Sequence, residues 1–216
     1  MNGITVPMAV VDFIPVALFF ASAVLLQRDL YSKMVKGAFA LLATGSTMVL
    51  IGGIFKAGWK ILYALGICDY TLLDASFFPL QGPGFLLVFL ALVGMFTRYN
   101  RRHVLHSVAV VPVYTSTIPF VIMQTVGCAG AQWTLFVMAM LMKKKSAAAL
   151  FAVSFVFMLG MGYLSATFDD SSSMHWVAQC TNIVSQGALL GGTVILHKAG
   201  LAEADLFGKK KTKAAV

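Results

Sequence analysis

The sequence predicts an all-α integral membrane protein with seven transmembrane helices, and two observations lead to this prediction. Hydrophobic residues make up 59% of the 216-residue chain and charged residues only 11%, whereas charged residues make up about 25% of a typical soluble domain. The apolar residues also fall into seven stretches near the length of about 20 residues that crosses the hydrocarbon core of a bilayer. An ordinary soluble domain is therefore excluded, and we expect a multi-pass protein of the cell membrane, with the lipid bilayer as a partner.

The predicted helices follow one another with short connections. They cover residues 7–27, 37–56, 77–97, 104–126, 129–142, 146–167 and 175–197. The first is expected to be retained and not cleaved as a signal peptide, because it lacks a basic leading segment and a small-residue cleavage site. The fifth is short, and its start is placed at the segment Gly127-Cys128-Ala129-Gly130. Residues 1–198 are thus expected to form one transmembrane domain, and residues 199–216 a basic cytoplasmic tail.

The positive charges predict how the helices are oriented. The chain carries a formal net charge of +8, and membrane proteins concentrate Lys and Arg in their cytoplasmic connections. Cations follow the first, third, fifth and seventh predicted helices, at Arg28, Lys33, Lys36, Arg98, Arg101, Arg102, Lys143, Lys144, Lys145, Lys198, Lys209, Lys210, Lys211 and Lys213. The other connections hold only Lys56 and Lys60, and the predicted outer helix ends carry Trp59, Trp133 and Trp176. The amino terminus is therefore expected outside and the carboxyl terminus in the cytoplasm.

A short internal repeat suggests that the helices form two parallel halves. Placing Lys36 on Lys145 aligns residues 36–57 with 145–166 without gaps and gives eight identities in 22 positions. Most of the identities are Ala, Leu or Gly, so duplication and the shared composition of membrane helices both explain them. A second match pairs Gln81 with Gln186 at an offset that differs by four residues. Helices 1–3 and 5–7 would then be copies related by an axis along the membrane normal, with helix 4 as a linker.

This 3+1+3 arrangement resembles that of the SWEET-type carriers and, in helix number, that of the opsin-like proteins. The resemblance covers nearly the whole chain, rests on topology and length, and implies a seven-helix bundle. The Pro-Gln dipeptides of the SWEET-type carriers do not occur in the sequence, and residues 175–197 contain no lysine that could bind retinal. A retinal-binding function is therefore excluded.

The predicted seventh helix carries a polar stripe. At 100° per residue, the following side chains fall within a sector of about 60°: His175, Gln179, Asn182, Gln186 and Thr193. Because unpartnered polar groups are costly in hydrocarbon, this face is not expected to contact lipid. The stripe either packs against neighbouring helices through hydrogen bonds or lines a solute-binding cavity. The first four of these residues are candidate binding groups.

The predicted fourth helix offers a second polar face, which contains His103, Ser107, Tyr114, Thr117 and Gln124. Tyr114 and Thr117 are its candidate binding residues. Pro112 and Pro119 interrupt the hydrogen-bond ladder of this helix, and they either kink it or form a hinge.

Two further candidates lie near the predicted outer side. Gln81 belongs to the segment Pro79-Leu80-Gln81-Gly82-Pro83-Gly84, which is either an interrupted helix with exposed backbone groups or a simple helix start. Asp12 is the acidic residue within a predicted span, and it is either an interfacial carboxylate or a cation or proton site. Cys68 and Cys128 are both predicted outside, where a disulfide between them could persist.

The polar faces favour a carrier or facilitator for a small polar solute, neutral or cationic, with a path through the helix bundle. A membrane-embedded enzyme acting on a lipid or isoprenoid is the alternative, because a polar pocket open to the bilayer would give the same pattern.

No phosphate loop, metal-ligand spacing or nucleophile motif is found, so no cofactor, metal or catalytic residue is predicted. The basic tail is interpreted as an anchor at anionic lipids and not as a nucleic-acid site, and the chain is compatible with a homo-oligomer.

Overall fold

The computed structural model describes residues 4–96, 117–166, 172–204 and 206, and the regular secondary structure of these residues is entirely helical. The helices are α1 (Val6–Val11), α2 (Phe13–Leu30), α3 (Lys36–Ala64), α4 (Thr71–Ala75), α5 (Phe77–Phe96), α6 (Ile118–Leu141), α7 (Lys145–Ala166) and α8 (Ser172–Lys198). The short helices α1 and α4 lead directly into α2 and α5. The all-α prediction is confirmed for the described residues, which form six long helices and not seven.

The predicted boundary between the fourth and fifth helices is wrong. Residues 118–141 form the single helix α6, and the segment Gly127–Gly130 lies inside it. The glycines pack there instead of ending the helix: a Cβ atom at Gly127 would collide with the backbone of α5 at Leu86, and one at Gly130 would collide with the ring of Phe89. Small residues let membrane helices approach closely. Residues 104–116, which include Pro112, lie outside the described residues.

The six long helices form a closed ring in chain order. Each packs against the next one along the chain, and α8 packs back against α2. Short turns after Leu30 and Leu141 reverse the chain between α2 and α3 and between α6 and α7, so these neighbours are antiparallel. The α5–α6 pair is parallel, because Gly82 faces Phe120 and Gly130 faces Phe89.

The α2–α8 pair is parallel as well. Gln179, early in α8, bonds to Met8 just before α2, and His197, late in α8, bonds to Asp29 at the end of α2. Residues 97–116 therefore connect two helix ends, Phe96 and Thr117, that lie at opposite ends of a parallel pair. The ring consists of two three-helix units, α2–α3–α5 and α6–α7–α8, which meet at the two parallel pairs.

The two ends of the ring differ in charge. We call one the basic end, where α2, α5, α6 and α8 end and α3 and α7 begin, because it holds Arg28, Lys33, Lys36, Lys143, Lys144, Lys145 and Lys198. The opposite end holds Lys56 and Lys60. The separation of charges that the sequence predicts is thus found among the described residues, whereas the side of the membrane that each end faces stays a prediction.

A hydrophobic core closes the basic end. All six long helices contribute to it, with Leu30, Leu42, Leu92, Met138, Phe151 and Leu196 among its fully buried members. These residues lie in the last turns of the helices that end there and in the first turns of the helices that begin there. Toward the opposite end, the interior holds glutamine and serine side chains instead.

Four segments are long and apolar enough to cross a membrane: Val6–Leu30, Lys36–Ala64, Thr71–Phe96 and Ile118–Leu141. α7 adds the shorter apolar stretch Lys145–Met161. α8 has the length but is the least apolar of the long helices, because of its amide stripe. Large apolar side chains such as Phe20, Ile54 and Val156 are exposed on the outer face of the ring, and a surface of this kind fits a lipid environment.

The described tryptophans do not form the predicted outer belt. Trp133 is exposed in the middle of α6, because the helix boundary predicted near it does not exist. Trp59 is buried, and its indole Nε1 donates to a carboxylate oxygen of Asp69 at 3.0 Å. Only Trp176 lies exposed near the opposite end, in the first turns of α8.

Candidate functional site

Glutamines from three helices lie inside the ring between its middle and the opposite end. Gln81 is in the second turn of α5 and is half-buried. Its Nε2 donates to the backbone carbonyl of Val49 in α3 at 3.3 Å, and its Oε1 accepts from Nε2 of Gln124 in α6 at 3.4 Å. The amide of Gln81 thus joins α3, α5 and α6. The sequence predicted Gln124 in the fourth helix, residues 104–126, whereas the structure places it in α6.

A second polar chain crosses the middle of the bundle. Gln132 of α6 donates from Nε2 to Oγ of Ser154 in α7 at 2.7 Å. Ser185 of α8 donates from its hydroxyl to the backbone carbonyl of Ser154 at 3.0 Å, and the two hydroxyl oxygens are 3.5 Å apart. All three side chains are buried. The chain therefore fixes α6, α7 and α8 relative to one another.

The polar stripe of α8 faces inward, as predicted. Gln179 is 3% exposed, His175 and Thr193 are buried, and Asn182 and Gln186 are half-buried. Gln179 donates from Nε2 to the carbonyl oxygen of Met8 at 2.9 Å. This face therefore avoids the outer surface of the bundle, as expected. Whether it serves packing or solute binding depends on which amide atoms have hydrogen-bond partners.

Four of the buried amide oxygens have no hydrogen-bond partner in the described part of the chain: Oε1 of Gln124, Gln132, Gln179 and Gln186. The amides of Gln124 and Gln179 are held in one orientation, because their nitrogens donate to oxygens that cannot donate in return, Oε1 of Gln81 and the carbonyl oxygen of Met8. A buried acceptor left unpaired costs about 1–3 kcal/mol, and folded proteins pair nearly all such groups with protein or ordered water. These amides therefore have hydrogen-bonding capacity that the described residues leave unused.

The structure places Asp12 at the break between α1 and α2, where its carboxylate forms an ion pair with Nζ of Lys60 in α3. Both side chains are largely buried, at 14% and 13% exposure. Asp12 is therefore neither a free interfacial carboxylate nor a ready cation site, since Lys60 already neutralises it. A second ion pair, between Lys56 and Asp74 at 3.8 Å, lies near it at the opposite end.

Two candidates from the predicted fourth helix are not brought into this interior. Thr117 is exposed and precedes the first residue of α6. Tyr114 lies outside the described residues. Pro119 is in the first turn of α6, where proline is favoured, so it is neither a kink nor a hinge.

The segment around Gln81 is a continuous helix, so its interpretation as an interrupted helix is wrong. Pro79 and Pro83 both lie within α5. Gly82 and Gly84 bring α5 against its neighbours: a Cβ atom at Gly84 would lie 2.9 Å from the carbonyl oxygen of Gly45 in α3. These glycines serve helix packing, and Gln81 is the one polar side chain of the segment that points at other helices.

Cys68 and Cys128 are free thiols. Cys68 is exposed beyond the end of α3, whereas Cys128 is buried inside α6. The disulfide considered from the sequence assumed that Cys128 lies in an outer connection, which the continuous α6 removes.

Sequence reasoning missed Gln132, Ser154 and Ser185. Gln132 was assigned to the first turn of a short helix and so to the membrane boundary. Ser154 and Ser185 are single hydroxyls in apolar helices, and such residues commonly bond to their own helix, as Ser46 does to Leu42. One available signal is that the internal alignment pairs Ser154 with Gly45, a residue of close helix contact.

The interior contains mainly amides and hydroxyls, which bind and orient solutes through hydrogen bonds, together with the buried imidazole of His175. Among the described residues, no group of three or more His, Cys, Asp or Glu side chains could hold a metal ion. The amides and hydroxyls are suited to recognition through hydrogen bonds. No family model, curated protein or solved structure matches the chain.

Proposed function

We propose that the protein is a membrane carrier or facilitator that moves a small polar solute, neutral or cationic, through the interior of the helix ring. The observation that carries the proposal is the set of four buried amide oxygens without partners, at Gln124, Gln132, Gln179 and Gln186. Buried amides that serve only to hold helices together are usually bonded at both ends. A solute or water that visits the interior supplies the missing donors.

The distribution of polarity along the ring supports the same proposal. The core around Leu42, Leu92 and Met138 closes the basic end, whereas the amides extend from the middle toward the opposite end. A path that is polar on one side and sealed by apolar side chains on the other is what a carrier needs in a state open to one side only.

Two parallel three-helix units support a 3+1+3 organisation with an internal repeat. α3 and α7 begin at Lys36 and Lys145, the two residues that the sequence alignment pairs. In the same alignment Gly45, which contacts Gly84, corresponds to Ser154, which bonds to Ser185. Residues 97–116, which lie outside the described residues, then correspond in sequence position to the linker. With the basic end in the cytoplasm, the amino terminus lies outside.

The test uses purified protein in liposomes and measures the uptake of small neutral and cationic solutes against protein-free vesicles. We expect uptake by the wild type and at least a tenfold lower rate for the double variant Gln124→Leu, Gln179→Leu. Gln27→Leu is the matched control. Gln27 lies in α2 near the basic end, away from the contact between Gln81 and Gln124, from the Gln132 chain and from the α8 stripe. Equal rates for all three proteins, or no uptake of any solute by folded wild type, would contradict the proposal.

A groove between α7 and α8 favours one second candidate, a membrane-embedded enzyme acting on a lipid. Its volume is about 280 Å³, it opens on the outer face of the bundle, and it is lined by Val156, Phe157, Gly160, Tyr163, Leu164 and Thr181. These side chains suit an acyl or isoprenoid chain, but none of the six is an acid, a thiol or an imidazole. Formation of a lipid product by protein in detergent, where no compartments exist, would favour this candidate over the carrier.

A further inference from the structure

We propose that the groove between α7 and α8 holds one acyl chain of a phospholipid from the surrounding bilayer. Such a site lies on the outer face of the ring, goes beyond the carrier function and does not depend on it. The groove has a volume of about 280 Å³ and is lined by Val156, Phe157, Gly160, Tyr163, Leu164 and Thr181. The spacing of the two helices, the chemistry of the lining, its depth and its surroundings identify this occupant.

The two helices pack closely toward the basic end and leave space toward the opposite end. A Cβ atom at Gly192 of α8 would lie 2.7 Å from the ring of Phe151 in α7, so the absence of a side chain is required there. Further along the same antiparallel pair, an added Cβ atom at Gly160 would have only one described atom within 4 Å. This atom is Cγ2 of Thr181, at an ordinary contact distance of 3.7 Å. Gly160 therefore leaves room beside α7 that neither helix fills.

The lining suits a hydrocarbon chain and not water. Val156, Phe157 and Leu164 are apolar, and none of the six lining residues is charged. The Cγ2 methyl of Thr181 lies on the side of Gly160, so the hydrocarbon part of this side chain faces the gap. A buried water needs several polar partners, and apolar cavities stay dry. An empty groove would leave the lining atoms without dispersion contacts on one side, which a hydrocarbon chain supplies.

The groove also has the depth of one bilayer leaflet. Val156 lies halfway along α7 and Leu164 in its last turn, which places them about 12 Å apart along the helix axis. Each leaflet contributes about 15 Å to the hydrocarbon core. Tyr163 is exposed at this end of the groove, as is Trp176 in the first turns of α8, and such amphipathic rings are typical of the level of the lipid headgroups. With the ring across a bilayer, the groove follows one acyl chain from the middle of the membrane to the headgroups.

The surroundings of the groove distinguish a lipid from a second copy of the protein. Val153 and Leu159 of α7 and Val177 and Val184 of α8 are exposed, so the groove continues an apolar surface of the kind that contacts a membrane. A helix is about 10–12 Å across, and a 12 Å length of it occupies roughly 1,000 Å³, several times the volume of the groove. Phospholipid chains surround this surface at high concentration, so they fill the groove by mass action even at modest affinity.

The first measurement maps the lipid on the folded wild-type protein. Liposomes are made with a phospholipid that carries a photoreactive diazirine in one acyl chain, and the labelled residues are identified by mass spectrometry after irradiation. We expect labelling of residues 156–164 at least tenfold above that of Ile14 and Ile54, which are exposed apolar residues of α2 and α3 in the same half of the ring. Equal labelling of these surfaces would overturn the proposal.

The second measurement fills the groove by substitution. Gly160→Leu adds a side chain where space exists, and Gly58→Leu is the matched control, because a Cβ atom at Gly58 of α3 would also meet no described atom within 4 Å. Native mass spectrometry counts the phospholipid that stays bound to each protein after washing in detergent. We expect one phospholipid per chain for the wild type and for Gly58→Leu, and at least tenfold less for Gly160→Leu.

Phospholipid added back to the stripped proteins should raise the thermal unfolding temperature of the wild type and of the control but not that of Gly160→Leu, because a ligand stabilises the folded state that binds it. Retention of phospholipid by Gly160→Leu at the wild-type level would contradict the site. The labelling map needs no variant, so it decides the question even if Gly160→Leu does not fold.

The remaining outcomes identify other occupants and would each overturn a resident phospholipid. They are an isoprenoid bound in its place, a lipid recovered in chemically converted form, and a dimer whose contact protects the groove from labelling. Solute uptake by liposomes separates this site from the carrier function. Uptake with an unlabelled groove would keep the carrier and remove the lipid site, whereas a labelled groove without uptake would do the reverse.

Discussion

Nδ1 of His197 lies 2.9 Å from one carboxylate oxygen of Asp29 and 3.0 Å from the other, so the last turn of α8 is tied to the last turn of α2 at the basic end. Asp29 is 2% exposed, and its carboxylate is among the fully buried groups of the bundle. Nearby, Nζ of Lys33 donates to the carbonyl oxygen of Ala204. The α2–α8 junction is therefore held by polar contacts, whereas the α5–α6 junction combines glycine packing with the contact between Gln81 and Gln124.

Removing one partner of this contact should destabilise the protein more than removing both. His197→Leu leaves a buried carboxylate without its imidazole hydrogen-bond partner, and leaving a buried polar group unpaired costs about 1–3 kcal/mol, more for a charged group. Because the side chain of His197 is 34% exposed, we expect about 2 kcal/mol after allowing for solvent screening. The double variant His197→Leu, Asp29→Asn should recover about half of this loss. Chemical denaturation measures all three, and a double variant less stable than the single one would argue against the contact.

Most helix limits could be predicted from the sequence, because apolar length sets them directly. The predicted 146–167 and 175–197 agree with α7 and α8 to within a few residues. The boundary at residues 127–130 could not be predicted, since glycine ends helices in water and packs helices in membranes. The sequence shows that Gly127 and Gly130 are small, but not that α5 lies against them.

The candidate site was predicted in part for a similar reason. Helical periodicity places Gln179, Asn182 and Gln186 on one face, and that face is indeed turned inward. Periodicity does not say which helix stands opposite, so the partnership of Gln81 with Gln124 and of Gln132 with Ser154 emerged only from the fold. Tyr114 and Thr117 were chosen from a predicted helix whose end at residue 126 is wrong, because α6 continues through it.

The contact of Gly45 with Gly84 predicts a sharp difference between two glycines of the same helix. A Cβ atom at Gly45 would lie 2.6 Å from the carbonyl oxygen of Gly84, whereas one at Gly58 would have no atom within 4 Å. Gly45→Ala should destabilise the protein by about 1–3 kcal/mol through overpacking. Gly58→Ala should be neutral or stabilising by up to about 1 kcal/mol through helix propensity. Equal unfolding temperatures for the two variants would show that α3 and α5 do not approach as described.

The hydroxyl of Ser154 predicts a stability effect that its helix neighbours lack. Ser154→Ala removes the acceptor of Gln132 Nε2 and leaves a buried amide with neither end bonded, which should cost about 1–3 kcal/mol. Ser146→Ala is the matched control, because Ser146 is exposed in the first turn of α7. Ser154→Thr keeps the hydroxyl and should lose less than Ser154→Ala if its extra methyl is accommodated. A loss for Ser146→Ala as large as that for Ser154→Ala would remove the case for the polar chain.

For Gln186 we expect opposite effects of one substitution on the unfolding free energy and on solute uptake. Its Oε1 is buried without a partner and it forms no hydrogen bond with the described residues, so Gln186→Leu should leave the unfolding free energy unchanged or raise it by about 1 kcal/mol. If the amide serves the solute, the same variant should lose solute uptake by liposomes tenfold or more. Proteins commonly sacrifice stability in this way at functional sites. A variant that is both as stable and as active as the wild type would exclude Gln186 from the site.

The proposed orientation predicts which residues a membrane-impermeant thiol reagent reaches in intact cells. Cys68 is exposed in the connection after α3, at the opposite end of the ring, so it should be labelled from outside in a variant that lacks Cys128 and Cys180. Lys144→Cys, introduced after removal of all three native cysteines, lies between α6 and α7 at the basic end and should react only after permeabilisation. The charge distribution makes this the favoured direction, since the basic end would otherwise have to be translocated. Labelling of Lys144→Cys in intact cells together with protection of Cys68 would reverse the orientation, and labelling of both from outside would contradict a ring whose two ends lie on different sides of the membrane.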